Sequence, residues 1–272
     1  MRRGGSSLTK RCSVISRHPR AMKTTSIKTA LAVLALCASP ALAQTATPCH
    51  DTQFEGLTYT VCKASSDQDV ELFLKDDNDN LIGTPERLQA VLPADKQLVF
   101  AMNAGMYHPD RAPVGLFIRN GQEIHRIVTS EGPGNFGLLP NGVFCIGTQF
   151  IVMESRAFAA NPPKCRYATQ SGPMLVIDGK LHPAFVADSS SRNIRNGVGV
   201  SADGKTAYFV ISDAPVTFHE FARFYRDVLH TPNALYFDGK ISRLTIPGQG
   251  REDLGLPMGP IVALIAPKSA AN

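Results

Sequence analysis

Short apolar runs, alternating or continuous, recur along the chain and are separated by dipeptides that tolerate positive φ. Residues 116–119, Asn120-Gly121 and 122–127 read as strand, turn and strand. So do 174–177 followed by Asp178-Gly179, 198–200 joined through 201–204 to 206–211, and 234–237 joined through Asp238-Gly239 to 241–246. Asn-Gly and Asp-Gly favour type I′ turns, whose twist matches the flanking strands. Residues 143–146 and 149–153 pair across Gly147-Thr148, and 98–102 and 261–266 read as buried strands. Two helices are signalled. Thr84-Pro85-Glu86 supplies an N-cap, an N1 proline and an early acid before 87–92. Thr217-Phe218-His219-Glu220 is a capping box, and Phe221, Phe224, Tyr225, Val228 and Leu229 follow at helical spacing. The pattern predicts an α+β fold: a single domain with a mixed, mostly antiparallel sheet and a few packed helices. Repeats of solenoid length are not seen.

Composition changes this picture mainly at the N-terminus. The 272 residues carry 28 Lys+Arg and 23 Asp+Glu, a formal net charge of +5. Arg2, Arg3, Lys10, Arg11, Arg17, Arg20, Lys23 and Lys28 all lie within 1–43, a stretch without acids, so the remainder is slightly acidic. A chain balanced in that way gives no electrostatic reason to expect a nucleic-acid partner. From Met22, a basic n-region (Lys23, Lys28), an apolar run over 29–37 and Ala41-Leu42-Ala43 before Gln44 form a signal-peptide pattern. The run is too short to span a bilayer. Leu36 before Cys37 argues against a lipoprotein site. The expected organisation is an upstream start extension over 1–21, a signal peptide over 22–43 and an exported domain over 44–272. That domain would be periplasmic or secreted, with no stable membrane insertion after cleavage.

Removal of the signal leaves Cys49, Cys62, Cys145 and Cys165. An even number in an exported chain indicates disulfides, and three pairings are possible. Local pairing, Cys49–Cys62 and Cys145–Cys165, is the expectation.

Several motifs fail on context. Gly132-x-Gly134-x-x-Gly137 is followed by Leu138-Leu139-Pro140-Asn141-Gly142, which cannot open the helix a dinucleotide site needs. His219-Glu220-x-x-Arg223 lacks the second histidine of a zinc protease. Asp76, Asn78 and Asn80 resemble half a calcium loop, but Leu81 and Arg87 occupy the glycine and glutamate positions. Neither a metal nor a cofactor is implied.

Other segments set polar residues and glycines at strand ends. Asn103-Ala104-Gly105-Met106-Tyr107 follows a strand, and Ser171-Gly172-Pro173 precedes one. Arg192-Asn193-Ile194-Arg195-Asn196-Gly197 leads into a Gly/Val strand, and Asp238-Gly239 ends one. Each also has a plain reading as a turn or a solvated surface pair. In this order they resemble the motifs of the phosphodiester glycosidase domain family, over roughly 95–265. The likeness is greatest to a bacterial branch with Asn-Ala-Gly-Met, Ile-Arg-Asn-Gly-Val-Gly and Tyr-x-Asp-Gly. Ala104, Asn196 and Ala214 stand where the family has glycine, threonine and glycine. Lys240-Ile241-Ser242 replaces its glycine-rich tail.

The resemblance implies cleavage of a sugar-1-phosphodiester in a phosphorylated carbohydrate or polysaccharide of an envelope or exopolysaccharide glycan. Such a reaction passes through an oxocarbenium-like state flanked by carboxylates. A phosphate leaving group asks for cationic contact more than for a proton. Asp238, Asp213 and Arg195 are the expected catalytic residues. Asn103, Gly105, Tyr107, Gly172, Pro173, Arg192, Asn196 and Gly239 are the expected substrate-binding positions. The altered motif positions also fit a non-catalytic glycan-binding module on the same fold.

Overall fold

A computed structural model describes residues 48–268. The segments 1–21 and 22–43 lie outside the described residues. In chain order the strands are β1 (Cys49–Phe54), β2 (Leu57–Ser65), β3 (Asp69–Phe73), β4 (Lys96–Asn103), β5 (Phe117–Arg119), β6 (Gln122–His125), β7 (Gly142–Ile146), β8 (Phe150–Glu154) and β9 (Tyr167–Ser171). They continue as β10 (Met174–Ile177), β11 (Lys180–Leu181), β12 (Asn196–Val200), β13 (Thr206–Ser212), β14 (Asn233–Asp238), β15 (Leu244–Ile246), β16 (Arg251–Glu252) and β17 (Ile261–Pro267). The helices are α1 (Pro85–Val91), α2 (Ser155–Ala160) and α3 (Phe218–Arg223), the last running on as a π-helical turn over Phe224–Val228.

The strands form three sheets, ordered β1-β2-β13-β12-β14-β10-β11, β16-β15-β4-β17-β3 and β6-β5-β9-β7-β8. Every ladder in them is antiparallel, so the fold is α+β with antiparallel sheets and few helices. One core joins all three. Phe209 of β13 lies 5.4 Å from Phe100 of β4 and 5.7 Å from Phe144 of β7, ring centre to ring centre. A second core fills the other face of the seven-stranded sheet. There α3 and its π turn set Phe221, Phe224 and Tyr225 against Tyr59, Val61 and Tyr236. Thr217 and Glu220 form the capping box read from the sequence.

The Asn120-Gly121 and Asp178-Gly179 turns have both residues at positive φ, as type I′ geometry requires. The hairpin expected at Asp238-Gly239 does not form. Both edges of β14 are occupied, by β12 and β10, so a returning strand has nowhere to pair. The chain leaves the sheet instead and pairs β15 with β4 of the second sheet. Helix α2 was not signalled: its six residues are too few for a periodic pattern.

Both disulfides pair locally, Cys49–Cys62 and Cys145–Cys165. Cys49 and Cys62 face each other across the β1–β2 ladder. Replacing Cys145 and Cys165 together by Ala reopens a loop with a sequence separation of 20 residues. The expected loss of stability is about 3 kcal/mol, read as a shift in urea midpoint. An unchanged midpoint would show that the bond constrains nothing. No helix among the described residues is long and apolar enough to cross a membrane.

Candidate functional site

Residues 234–237 of strand β14 alternate. Leu235 and Phe237 point into the three-sheet core, while Ala234 and Tyr236 point to the α3 side. The β12–β14 register shifts between Tyr236 and Asp238, and both residues line the space at the end of the strand where the chain departs. A cavity of about 760 Å³ opens there. Its walls come from the β4–β5 connection (Met106, Tyr107, Arg111), the loop with Asn135 and Phe136, and the Asp238–Ile241 stretch, with Asn193 and Leu256 at its edges. This is the size and partly aromatic character of a small-ligand site.

Asp238 is 9% exposed, not presented at a hairpin tip. Its Oδ1 accepts the N–H of Gly239 at 2.6 Å and of Lys240 at 2.8 Å, which fixes the carboxylate as the chain turns. The hydrogen bonds converge on Oδ1, so Oδ2 is the oxygen left to meet a ligand. Burial pushes the Asp238 pKa above the ordinary carboxylate value, although the amides of Lys240, Gly239 and Ile241 pull it down. Gly239 has a definite reason to lack a side chain: a Cβ there would overlap Tyr236 Oη.

Beneath this floor lies a buried amide lock. Asn103 Nδ2 donates to Asn196 Oδ1 at 3.0 Å, and Asn196 Nδ2 returns to Asn103 O at 2.8 Å. Asn103 Oδ1 also accepts the Arg243 N–H at 3.0 Å. Ser242 Oγ donates to Asp238 O at 2.8 Å and reaches Asn196 Oδ1 at 3.3 Å. Asn103 and Asn196 thus bind the end of β4 to the end of β12, directly opposite Asp238 in the β12–β14 register.

Of the other expected residues, Tyr107 and Gly239 line the cavity. Gly105 is buried, and a Cβ there would stand 3.1 Å from Thr169 Oγ1. Gly172-Pro173 forms a cis bond behind the wall, where Pro173 O accepts the Tyr236 N–H at 3.2 Å. Arg192 is exposed and paired with Glu220 at 2.7 Å. Arg195 is fully buried. It donates to Val216 O at 2.9 Å and Ser191 O at 3.1 Å, with its guanidinium 3.7 Å from the Phe218 ring centre and 5.4 Å from that of Tyr236. It stands behind the cavity wall. Asp213 is not brought to this cavity. It lies in a neighbouring cleft with Arg251 at 3.4 Å and Asp253.

Sequence reasoning assigned no part to Tyr236, Arg111, Lys240, Asn135 or Phe136. Tyr236 stands inside the Tyr-x-Asp-Gly motif, two residues before Asp238, and that position is its signal in the sequence. Arg111 stacks on Tyr107 at 5.1 Å and donates to Pro257 O at 2.6 Å. Neither Arg111 nor Lys240 has an ion-pair partner among the described residues. No cluster of His, Cys, Asp and Glu suited to a metal occurs among the described residues.

A family model described as phosphodiester glycosidase matches residues 96–247, which takes in β4, the cavity loops and β14. The chain belongs to that family. It is 34% identical over 218 residues to "Uncharacterized protein YigE" of Escherichia coli (strain K12), covering 79% of this chain and 84% of that protein. The catalytic domain of zebrafish N-acetylglucosamine-1-phosphodiester alpha-N-acetylglucosaminidase, solved as auto-inhibited by its pro-peptide, shares the fold. Its TM-score is 0.51 at 13% identity, covering 79% of this chain and 81% of that one.

Proposed function

We propose that the protein is an exported glycoside hydrolase that cleaves a sugar-1-phosphodiester in a phosphorylated envelope or exopolysaccharide glycan. The two disulfides support an oxidising compartment, periplasmic or secreted. The observation that carries the reading is the fixed, buried carboxylate of Asp238 at the floor of a cavity whose other charged groups include the unpaired cations Arg111 and Lys240.

The chemistry follows from the charges. The sugar ring packs among Tyr107, Phe136 and Tyr236, with its anomeric carbon toward Asp238 Oδ2. Positive charge grows on that carbon as its bond to the bridging phosphate oxygen breaks, the ionised carboxylate stabilises it, and water adds to the carbon and releases a proton to complete the hydrolysis. The departing phosphate monoester is already a weak base, so it needs cations more than a proton, and Arg111 and Lys240 flank it. Arg195, behind the wall, and Arg192, held by Glu220, are less well placed for direct contact.

The test is turnover of a panel of sugar-1-phosphodiesters beside aryl glycosides of the same sugars. Faster cleavage of the phosphodiesters is expected. If neither class is cleaved while glycans still bind in calorimetry, the non-catalytic module replaces this reading.

A second expectation concerns pH. Asp238 works ionised and its pKa is raised by burial. The acid limb of kcat/KM should therefore fall above the ordinary aspartate value of about 3.9. A limb at or below that value in a pH–rate profile would show that Asp238 is not the ionising group.

A further inference from the structure

Arg195 presents a physical problem. It is a fully buried cation, and no carboxylate forms an ion pair with it among the described residues. Its Nη1 also lacks a hydrogen-bond partner. A guanidinium buried in that way is strongly disfavoured unless a counter-charge lies within reach. Stacking on Phe218 and the bonds to Val216 O and Ser191 O account for its position but leave its charge unanswered. The next polar group toward the cavity is Tyr236 Oη, buried in the cavity wall; among the described residues Arg195 and Asn135 are the side chains within reach of it, and neither meets it in full hydrogen-bond geometry. Asn135 faces the same hydroxyl from the cavity loop. A polar donor backed by a free cation is an arrangement that lacks an anion.

We propose that Tyr236 is a catalytic residue whose Oη donates a hydrogen bond to the substrate's phosphate, with Arg195 as the positioning residue that supplies positive charge behind it. The proposal rests on the glycosidase reading for the identity of the substrate, but its anion chemistry stands separately. Four observations support it. Tyr236 and Asp238 both line the cavity, two residues apart at the end of β14. That spacing lets a ligand meet the carboxylate with an electropositive carbon and the hydroxyl with an oxyanion. Burial holds the Tyr236 pKa well above its ordinary value, so the hydroxyl stays protonated and donates. Gly239 makes room for the hydroxyl, which is buried against it and which any side chain there would displace. The rim cations Arg111 and Lys240 approach the same cavity and add charge of the same sign.

The experiment needs no turnover. Inorganic phosphate and methyl phosphate are titrated into the full-length exported protein by calorimetry at neutral pH and fixed salt. Tyr236→Phe keeps the ring and removes only Oη. It should weaken both probes about tenfold, the equivalent of one lost hydrogen bond to an anion, with thermal unfolding unchanged within a few degrees. Arg195→Lys retains a charge and should stay closer to wild type than Arg195→Met. If the Met variant fails to fold, the Phe variant decides alone. Equal phosphate affinity in wild type and Tyr236→Phe overturns the proposal, as does a wild type that binds neither probe at millimolar concentration. If phosphate binds in a Tyr236-dependent way yet no sugar-1-phosphodiester is cleaved, the glycosidase reading fails and this one stands. If phosphodiesters are cleaved and Tyr236→Phe lowers kcat no more for them than for aryl glycosides, the reverse holds.

Discussion

Asp238→Asn is expected to keep the fold and to lower turnover of a sugar-1-phosphodiester by about 10²-fold or more, the scale for losing a functional carboxylate. The substitution is nearly isosteric, and the Asn carbonyl still accepts the Gly239 and Lys240 amides that now bond Oδ1. The negative charge is lost, and the second carboxylate oxygen becomes an amide donor. Stability should not fall with it. The folded state holds the Asp238 proton more tightly than the unfolded chain does, because burial raises the pKa. Ionised Asp238 therefore costs stability at neutral pH, and that cost grows as pH rises from the ordinary value through the raised one. Asparagine removes it, so the variant should unfold at the wild-type temperature or slightly above. A variant with near-full turnover would mean that Asp238 only shapes the loop. One that loses turnover together with its unfolding transition would leave the charge without an assigned role in catalysis.

The features that sequence could reveal are those set by neighbouring residues. Thr217 and Glu220 sit three apart and cap one helix, so the capping box was legible. Asn120-Gly121 and Asp178-Gly179 turn their hairpins because the φ preference is local. The local disulfides followed from the small number of cysteines after residue 43 and their spacing. Asp238-Gly239 has the same local chemistry and a different outcome, because the pairing of β14 on both edges is decided by β12 and β10. The motif resemblance put Asp238 at a strand end and gave Tyr107 as a substrate-binding position. It could not show that the loop carrying Asn135 and Phe136 closes one wall of the cavity, or that Leu256 reaches another edge. Arg195 is the sharpest case. Arginine is usually exposed, so the residue reads as a surface cation. Its burial depends on Phe218 and Tyr236, residues brought together only by α3 packing on the sheet.

Gly239→Ala separates the turn reading from the site reading most sharply. Gly239 is not at positive φ, so backbone strain is no objection to alanine. In an exposed hairpin such a change would be mild. In this structure the new methyl would overlap Tyr236 Oη and lie 3.4 Å from Asn193 Cβ. The backbone there has little freedom to give way, because Asp238 Oδ1 holds the amides on both sides of the Gly239 carbonyl. Relief must come from the tyrosine ring, which is packed edge-on against Phe218 at 4.7 Å and lies beside Arg195. Overpacking of that kind costs about 1–3 kcal/mol. A displacement approaching 1 Å at a reacting group lowers rate by about 10²-fold. The expected result is therefore a modest fall in thermal midpoint with a fall in kcat of about 10²-fold, and a smaller change in KM for neutral aryl glycosides than for phosphodiesters. Gly239→Ala combined with Tyr236→Phe should recover part of the lost stability, since removing Oη removes the overlap, but not the phosphodiester turnover. A single alanine variant with wild-type kcat would place Tyr236 Oη away from the substrate, and the cavity would then have to work through Asp238, Arg111 and Lys240 alone.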